Sequence, residues 1–456
     1  MPRVIVVGAG ISGLTAAWRL QQLGHDVRVL ESADHVGGKI ATAQRDGFRL
    51  GRGAAVFAGS YTAFLGLVSE LGLESHITHP PTTAGVIRDG RVHWLRGDGV
   101  GAVIDFARTP LISARSKLTL LKLAVDVVRA RKAISYDDAA GRARIDTESV
   151  AEYCDRRLNA ELRDHFISPL LSGIWVVDGG GMSVVDLFAL VAKFLGAGML
   201  GYRGGIDFLP RAIAERVNVT TGARVELVER FDDGARVVWT HDGEQHDERV
   251  DGVVLTVAAP DVPPMYPGLE PGLQGIMLEG LKQANYAVLR VALKRRPDID
   301  GTFLAVPAGE LTGIGTIAFE HNISPDVAPA GKGLIGLYVY ADWWEQHRHH
   351  DDAELIDMLL PDLDRVIPGI ADTIAFVEIT SWNPATLHSE RGTHKLIAQL
   401  DAAIDDDRRV QQAGDYLSVA CIEGSVVAGE HAARRLSATL TPHPTHLTTA
   451  RPGVIT

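Results

Sequence analysis

Residues 3–31 constrain the fold of this chain more than any other stretch. Arg3-Val4-Ile5-Val6-Val7 is a short apolar run rich in β-branched residues, which predicts a buried strand. Gly8-Ala9-Gly10-Ile11-Ser12-Gly13 follows, then a helical pattern over residues 14–23 that Gly24 stops. Asp26-Val27-Arg28-Val29-Leu30 reads as a second strand and runs into Glu31. Strand, glycine loop, helix and strand in this order open a doubly wound parallel sheet. Gly8 permits the tight turn, Gly10 the close approach of a pyrophosphate, and Gly13 the close packing of helix on strand. The helix start, with Ile11 and Ser12, offers backbone N–H groups and a partial positive charge to phosphates. Glu31 stands about twenty residues beyond the loop, where a carboxylate accepts hydrogen bonds from ribose hydroxyls. The unit predicts dinucleotide binding.

Glu31-Ser32-Ala33-Asp34-His35-Val36-Gly37-Gly38-Lys39 places a glycine pair just after that acid. Here the chain resembles the amine oxidase and protoporphyrinogen oxidase group of flavoproteins, whose entry motif is the glycine loop, the acid, two glycines and usually an arginine. Lys39 holds the arginine's place, which keeps the charge and loses the planar fork. The resemblance implies noncovalently bound FAD. It continues through Phe48-Arg49-Leu50-Gly51-Arg52-Gly53, with Ala54 next, where the family backbone passes the flavin ring. Many relatives carry an acid near Gly51, and this chain does not. Near the C-terminus, Ala413-Gly414-Asp415-Tyr416-Leu417 reads as a strand end, and a helix is expected from Ile422-Glu423-Gly424. This resembles the family's closing motif, in which the equivalent of Asp415 binds ribityl or pyrophosphate groups. The new helix then points its positive end at the flavin edge that gains charge on reduction. The position of Val225 in relatives meets the adenine side through its backbone. Ser168-Pro169-Leu170-Leu171-Ser172-Gly173-Ile174-Trp175 and Ser381-Trp382-Asn383-Pro384 are similar to further family segments, closest to the protoporphyrinogen oxidase branch.

The fold class expected is therefore α/β, with a Rossmann-like, discontinuous FAD-binding domain and an α+β substrate domain carrying a mixed or antiparallel sheet and a helical insertion. Residues 1–75, 205–269 and 385–438 are assigned to FAD binding, 76–204 to the substrate domain with its insertion, and 270–384 to its sheet. Residues 439–456, rich in Thr and Pro, read as a loose tail. A hairpin is expected around Asp89-Gly90, and helices near 114–133, 147–157 and 159–165, the second capped by Asp146 or Thr147. Residues 219–228 read as paired strands, and 251–256 as a further buried strand. Alternation over 286–293, 315–319 and 334–340 predicts an antiparallel sheet.

A flavin carries the redox chemistry itself, so the protein must chiefly wall the substrate against the ring and exclude water. Trp175, Tyr338, Tyr340 and Trp382 are candidate walls, although plain core packing explains aromatics equally. Arg52 is a candidate for a substrate carboxylate or the flavin edge, or for a structural ion pair. Lys294 could parallel the amine oxidase lysine that holds a water near the flavin, but Lys294-Arg295-Arg296 precedes a Pro-Asp turn and reads as an exposed strand end. In some relatives an arginine near the hairpin holds a propionate. Ala84 falls there, and Arg88 and Arg91 read as solvated hairpin charges. Cys421 is expected to be a buried thiol. His165, His321, His388 and His394 show no metal spacing, so no metal is assigned.

Composition removes other classes. The net charge of −12 opposes nonspecific nucleic-acid binding. Two cysteines, Cys154 and Cys421, cannot build a disulfide framework or a structural zinc site, which fits a reducing cytoplasm. The first strand begins at once, leaving no room for a signal peptide, and no run of about eighteen apolar residues predicts a membrane span. Residues 110–128 mix Leu and Val with Arg115, Lys117 and Lys122 at helical spacing. The family sometimes uses this region to sit on a bilayer, so peripheral membrane contact stands beside a helix packed on the substrate domain. The expected activity is dehydrogenation of a small hydrophobic substrate at C–C or C–N, with hydride passing to flavin N5 and electrons leaving to oxygen or another acceptor. A flavin amine oxidase and a nonredox isomerase are the alternatives.

Overall fold

A computed structural model describes residues 1–97, 99–193 and 197–440 of the chain. Its organising layer is a five-stranded parallel sheet in the order Asn218–Thr220, Asp26–Leu30, Arg3–Val7, Gly252–Leu255 and Val410–Gln412. Strand Arg3–Val7 lies in the middle, and its alternate side chains feed two different cores. Val4 and Val6 pack with the helices Ile11–Gln22 and Ile422–Leu440 on one face. Ile5 and Val7 pack on the other face with a three-stranded antiparallel layer, Arg224–Phe231, Gly234–His241 and Glu244–Val250, and with helix Thr393–Asp406. Both faces being covered explains why the central strands Arg3–Val7 and Gly252–Leu255 carry near-continuous apolar runs rather than alternating. The two helices press together where Gly429 lies, since a Cβ there would come within 2.3 Å of the Ser12 carbonyl oxygen.

The second sheet has seven strands in the order Ile374–Leu387, Gln283–Leu293, Gly333–Val339, Ile314–Phe319, Phe303–Ala305, Thr83–Arg88 and Arg91–Arg96. All neighbours run antiparallel except Phe303–Ala305 beside Thr83–Arg88, so the sheet is mixed. Helix Asp352–Val366 buries Leu355, Leu359 and Leu363 against one face. The helical insertion forms a separate core around Leu171, Trp175, Val185 and Leu187.

Several expectations are corrected. Residues 219–228 do not pair with each other: Asn218–Thr220 edges the parallel sheet, and Arg224–Phe231 pairs with Gly234–His241. The glycine between them, Gly222, turns the chain from one layer to the other at φ +66°. The helix expected from 147 starts at Val150, with Ser149 as cap in a reciprocal capping box with Glu152. Asp146 is buried instead, accepting hydrogen bonds from Ser183 Oγ (2.8 Å) and the His394 N–H (2.9 Å). The strand placed at 413–417 is Val410–Gln412, followed by a 3-10 turn, Asp415–Leu417. Residues 439 and 440 continue helix Ile422–Leu440 rather than a tail, and 441–456 lie outside the described residues.

Candidate active site

The glycine loop is built around its three glycines, each for a different reason. Gly8 has φ +103°, which disfavours any L side chain there. A Cβ on Gly13 would lie 2.0 Å from the Gly8 carbonyl oxygen, so helix and loop touch only because it is absent. Gly10 differs: its φ of −70° suits any residue, and a Cβ there meets nothing within 4 Å. The protein does not need glycine at 10 for its own packing, and the open space borders the first turn of a helix with no capping side chain. Ser12 lies in that turn, with a buried Oγ that has no hydrogen-bond partner. Uncapped N–H groups, an orphaned hydroxyl and a cradle that a methyl would fill are what a pyrophosphate requires.

Glu31 closes the loop from the side. Its carboxylate accepts hydrogen bonds from the N–H groups of Ala9 (2.6 Å) and Ala33 (2.8 Å), with Ser32 Oγ at 3.3 Å. The Ala9 N–H is therefore committed to Glu31, and the uncapped N–H groups of the helix start begin at Ile11. The Ala223 N–H donates to the Glu31 carbonyl (2.8 Å), which sets the strand bearing Val225 beside this corner.

Three chain segments meet at Lys39. Its ammonium donates to Asp415 Oδ2 and to the Ala385 carbonyl, each at 2.7 Å. Gly37 and Gly38 bring this turn onto the glycine loop, where the Gly37 N–H donates to the Ala9 carbonyl (2.9 Å). Gly53 packs against Lys39, since a Cβ there would stand 2.3 Å from the Lys39 carbonyl oxygen. Gly8 to Gly13, Glu31, Gly37 to Lys39, Gly51 to Ala54, and Asp415 thus form one continuous rim.

The carbonyls of Gly51, Arg52 and Gly53 are each held from the second sheet. Arg290 Nε donates to Gly51 (2.5 Å) and Nη2 to Gly53 (3.0 Å); Trp382 Nε1 donates to Arg52 (2.8 Å); Tyr338 Oη donates to Gly53 (2.9 Å). Arg290 and Glu320 are 1% exposed and form an ion pair. The carboxylate and the Tyr338 hydroxyl hold the guanidinium charged although burial opposes it. Tyr286 lies opposite Trp382 in the strand pairing, completing an aromatic wall with Tyr338. Arg290, Glu320 and Tyr286 were missed in the sequence. An arginine inside the apolar run Val288-Leu289-Arg290-Val291-Ala292 was the available signal, because a buried arginine demands partners.

Other candidates fall elsewhere. Tyr340 donates to the Val306 carbonyl (2.6 Å) and packs within the second sheet's own core, away from the Gly51–Gly53 loop. Trp175 Nε1 donates to the Ala420 carbonyl (3.0 Å), joining the insertion to the segment before the closing helix. Buried Arg142 does the same through the Leu417 carbonyl (3.0 Å). The Glu423 carboxylate turns from the cradle and accepts from the N–H groups of Ala63 (2.8 Å) and Phe64 (2.9 Å), capping helix Thr62–Glu70. What Glu423 and Ile422 offer the rim is backbone at a helix start. Arg52 makes no ion pair among the described residues, although its charge contributes to lowering Asp34, whose carboxyl is depressed chiefly by its hydrogen bond with His35. Lys294 is exposed at the end of its strand. Arg88 is anchored to the Leu111 carbonyl rather than free. Cys421 is half-buried, with its thiol pushed up to about 11 by burial. Among the described residues no group of His, Cys, Asp and Glu gathers as a metal site.

A doubly wound sheet with a glycine loop, joined through residues 51–53 to an aromatic wall on a second sheet, is the arrangement of a dinucleotide-dependent oxidoreductase. The comparisons specify it. The family described as "Flavin containing amine oxidoreductase" matches residues 11–437, and the chain belongs to that family. It is 22% identical to protoporphyrinogen oxidase 2, chloroplastic/mitochondrial, of Arabidopsis thaliana, over 94% of this chain and 93% of that one. It is 25% identical to coproporphyrinogen III oxidase of Bacillus subtilis (strain 168), over 92% and 94%. Its fold is that of cyclohexylamine oxidase from Brevibacterium oxydans IH-35A, with a TM-score of 0.75 at 18% identity over 96% of this chain and 99% of that one. The chain is a flavin-dependent oxidoreductase, and its dinucleotide cradle makes the flavin FAD.

Proposed function

We propose that this enzyme dehydrogenates a hydrophobic substrate at C–C or C–N, in the manner of the porphyrinogen oxidases it is similar to along its whole length, and passes the electrons to oxygen or another soluble acceptor. FAD, held noncovalently, would supply the redox chemistry as hydride acceptor. The chain's own residues position and seal. Gly10, Ile11 and Ser12 hold the pyrophosphate, Glu31 the ribose, and the backbone at Val225 the adenine side. Lys39 orients Asp415 toward the ribityl or pyrophosphate region. Arg290, Tyr338 and Trp382 fix the Gly51–Gly53 loop, while Tyr286, Tyr338 and Trp382 exclude water from the reacting face.

One observation carries this reading. Arg290, Tyr338 and Trp382 commit donors to backbone carbonyls, so the wall presents ring faces with the Tyr286 hydroxyl as its remaining donor, a largely apolar surface suited to an electron-rich hydrocarbon. Arg52, whose backbone the wall holds and whose side chain makes no ion pair among the described residues, is proposed for a substrate carboxylate. The family description favours an amine as the second reading. Anaerobic mixing of the holoenzyme with coproporphyrinogen III, protoporphyrinogen IX, putrescine, cyclohexylamine and a cyclic ketone decides between them. Bleaching by the porphyrinogens supports the proposal, bleaching by amines alone replaces it with an amine oxidase, and no bleaching leaves a nonredox isomerase.

The enzyme is also proposed to rest on a lipid surface through helix Ala114–Ala130. Leu118, Leu121 and Val128 are 70%, 66% and 62% exposed, and recur at helical spacing with Arg115, Lys122 and Arg129 beside them. Among the described residues no helix is long and apolar enough to cross a membrane. Flotation of the protein with anionic liposomes, lost on Leu118→Gln/Leu121→Gln substitution, tests this.

A further inference from the structure

A second cavity, of about 420 Å³, lies away from the glycine rim, between the Gly47 turn and the segment 325–332. Its volume is that of a small-molecule site. Arg49, Arg296 and Lys332 line it, against a single carboxylate, Asp326. Asp326 is already shared. Its Oδ2 accepts from the Gly204 N–H (2.9 Å) and lies 3.4 Å from Arg49, while the Arg49 guanidinium also donates to the Asp326 carbonyl (2.6 Å). Arg296 donates to Asn322, a neutral partner, and the Lys332 ammonium lies 5.6 Å from the centre of the Phe48 ring. Among the described residues neither cation has a carboxylate within 4 Å. The cavity is thus positive by about two charges in a chain of net charge −12. His321 forms part of its lining. The ring is buried, Nδ1 is bound to the backbone of Leu334, and Nε2 has no partner. An unpartnered ring nitrogen costs free energy unless something bonds it. Two exposed cations without a carboxylate partner among the described residues, one of them a guanidinium with a planar fork, suit a group with paired anionic oxygens.

We propose that this cavity binds a small dianion, a phosphate monoester or a dicarboxylate, between Arg296 and Lys332, with the neutral His321 ring accepting the Leu334 N–H at Nδ1 (3.1 Å) and donating its Nε2–H to the anion. The site is separate from the flavin cradle, and the inference does not rest on the substrate reading.

The test is calorimetric titration of the FAD-loaded enzyme with inorganic phosphate and, separately, malonate. Saturable one-site binding is expected, weakening as ionic strength rises. Arg296→Gln and Lys332→Gln should each weaken it about tenfold or more, with flavin content and visible spectrum unchanged. Binding of phosphate alone identifies a phosphate ester, and of malonate alone a dicarboxylate. Absence of saturable binding, or affinity unchanged in the Arg296→Gln/Lys332→Gln double variant, overturns the proposal. So does binding that perturbs the flavin spectrum equally in the double variant, because the anion would then sit in the cradle.

Discussion

Replacing Gly10 with alanine separates the needs of the protein from those of its cofactor. The backbone at Gly10, φ −70° and ψ 173°, is open to alanine, and the added methyl meets no atom within 4 Å. The apoprotein should therefore fold normally, its stability unchanged or raised by about 0.4–1 kcal/mol through a less flexible unfolded chain. The methyl would stand in the space proposed for the pyrophosphate of bound FAD. Overpacking costs about 1–3 kcal/mol. Loss of one charge-assisted hydrogen bond at the helix start adds about 1.5–3 kcal/mol. The sum, roughly 2.5–6 kcal/mol, corresponds to a loss of about sixtyfold to about twenty-thousandfold in FAD affinity at 1.4 kcal/mol per decade. Gly13→Ala is the control, since its methyl would stand 2.0 Å from the Gly8 carbonyl oxygen and must distort the apoprotein itself. Urea unfolding followed by circular dichroism reads stability, and titration of deflavinated protein with FAD reads affinity. If folded Gly10→Ala protein takes FAD within about threefold of the parent, the space above Gly10 is not the phosphate cradle and the reasoning fails.

Glu320→Gln leaves Arg290 buried without its counter-charge and should destabilise the protein by about 3–5 kcal/mol. Adding Arg290→Met should recover part of that stability but not FAD affinity, because the Gly51 and Gly53 carbonyls lose their anchor; unfolding and FAD titration on the same variants check both. His321 is lowered from its ordinary 6.5 to about 4, first by burial and then by Arg296, against its hydrogen bond to Leu334. The unfolded chain accepts that proton below about pH 6.5 while the folded one refuses it. Stability is therefore intact above about 6.5 and falls as pH drops toward 4, by up to about 3 kcal/mol. His321→Gln should flatten this limb in urea unfolding at pH 7 and pH 4.5. Cys421, with its thiol pushed up to about 11, should react with iodoacetamide far more slowly at pH 8 than an unfolded thiol, as mass spectrometry of the labelled protein would show.

Local order along the chain was enough to identify the cofactor as FAD. The β-branched run from Val4 to Val7, the three glycines and Glu31 determine one another within about thirty residues, because a turn, a helix start and a strand end depend on near neighbours. The same holds for the glycine pair before Lys39 and the helix that begins at Ile422. Tertiary structure alone decided what each side chain does once remote segments meet. Lys39 and Asp415 were visible as separate motif members, but only folding brings them to 2.7 Å. Tyr338 and Tyr340 stand two residues apart on one strand end, yet the first holds the Gly53 carbonyl and the second the Val306 carbonyl. Glu423 sits within a cofactor motif and spends its carboxylate on another helix. Arg290 and Glu320, thirty residues apart, share no local pattern. They meet over Gly336 of the intervening strand Gly333–Val339, where only a glycine leaves room for both and where neither buried charge is tolerable without the other.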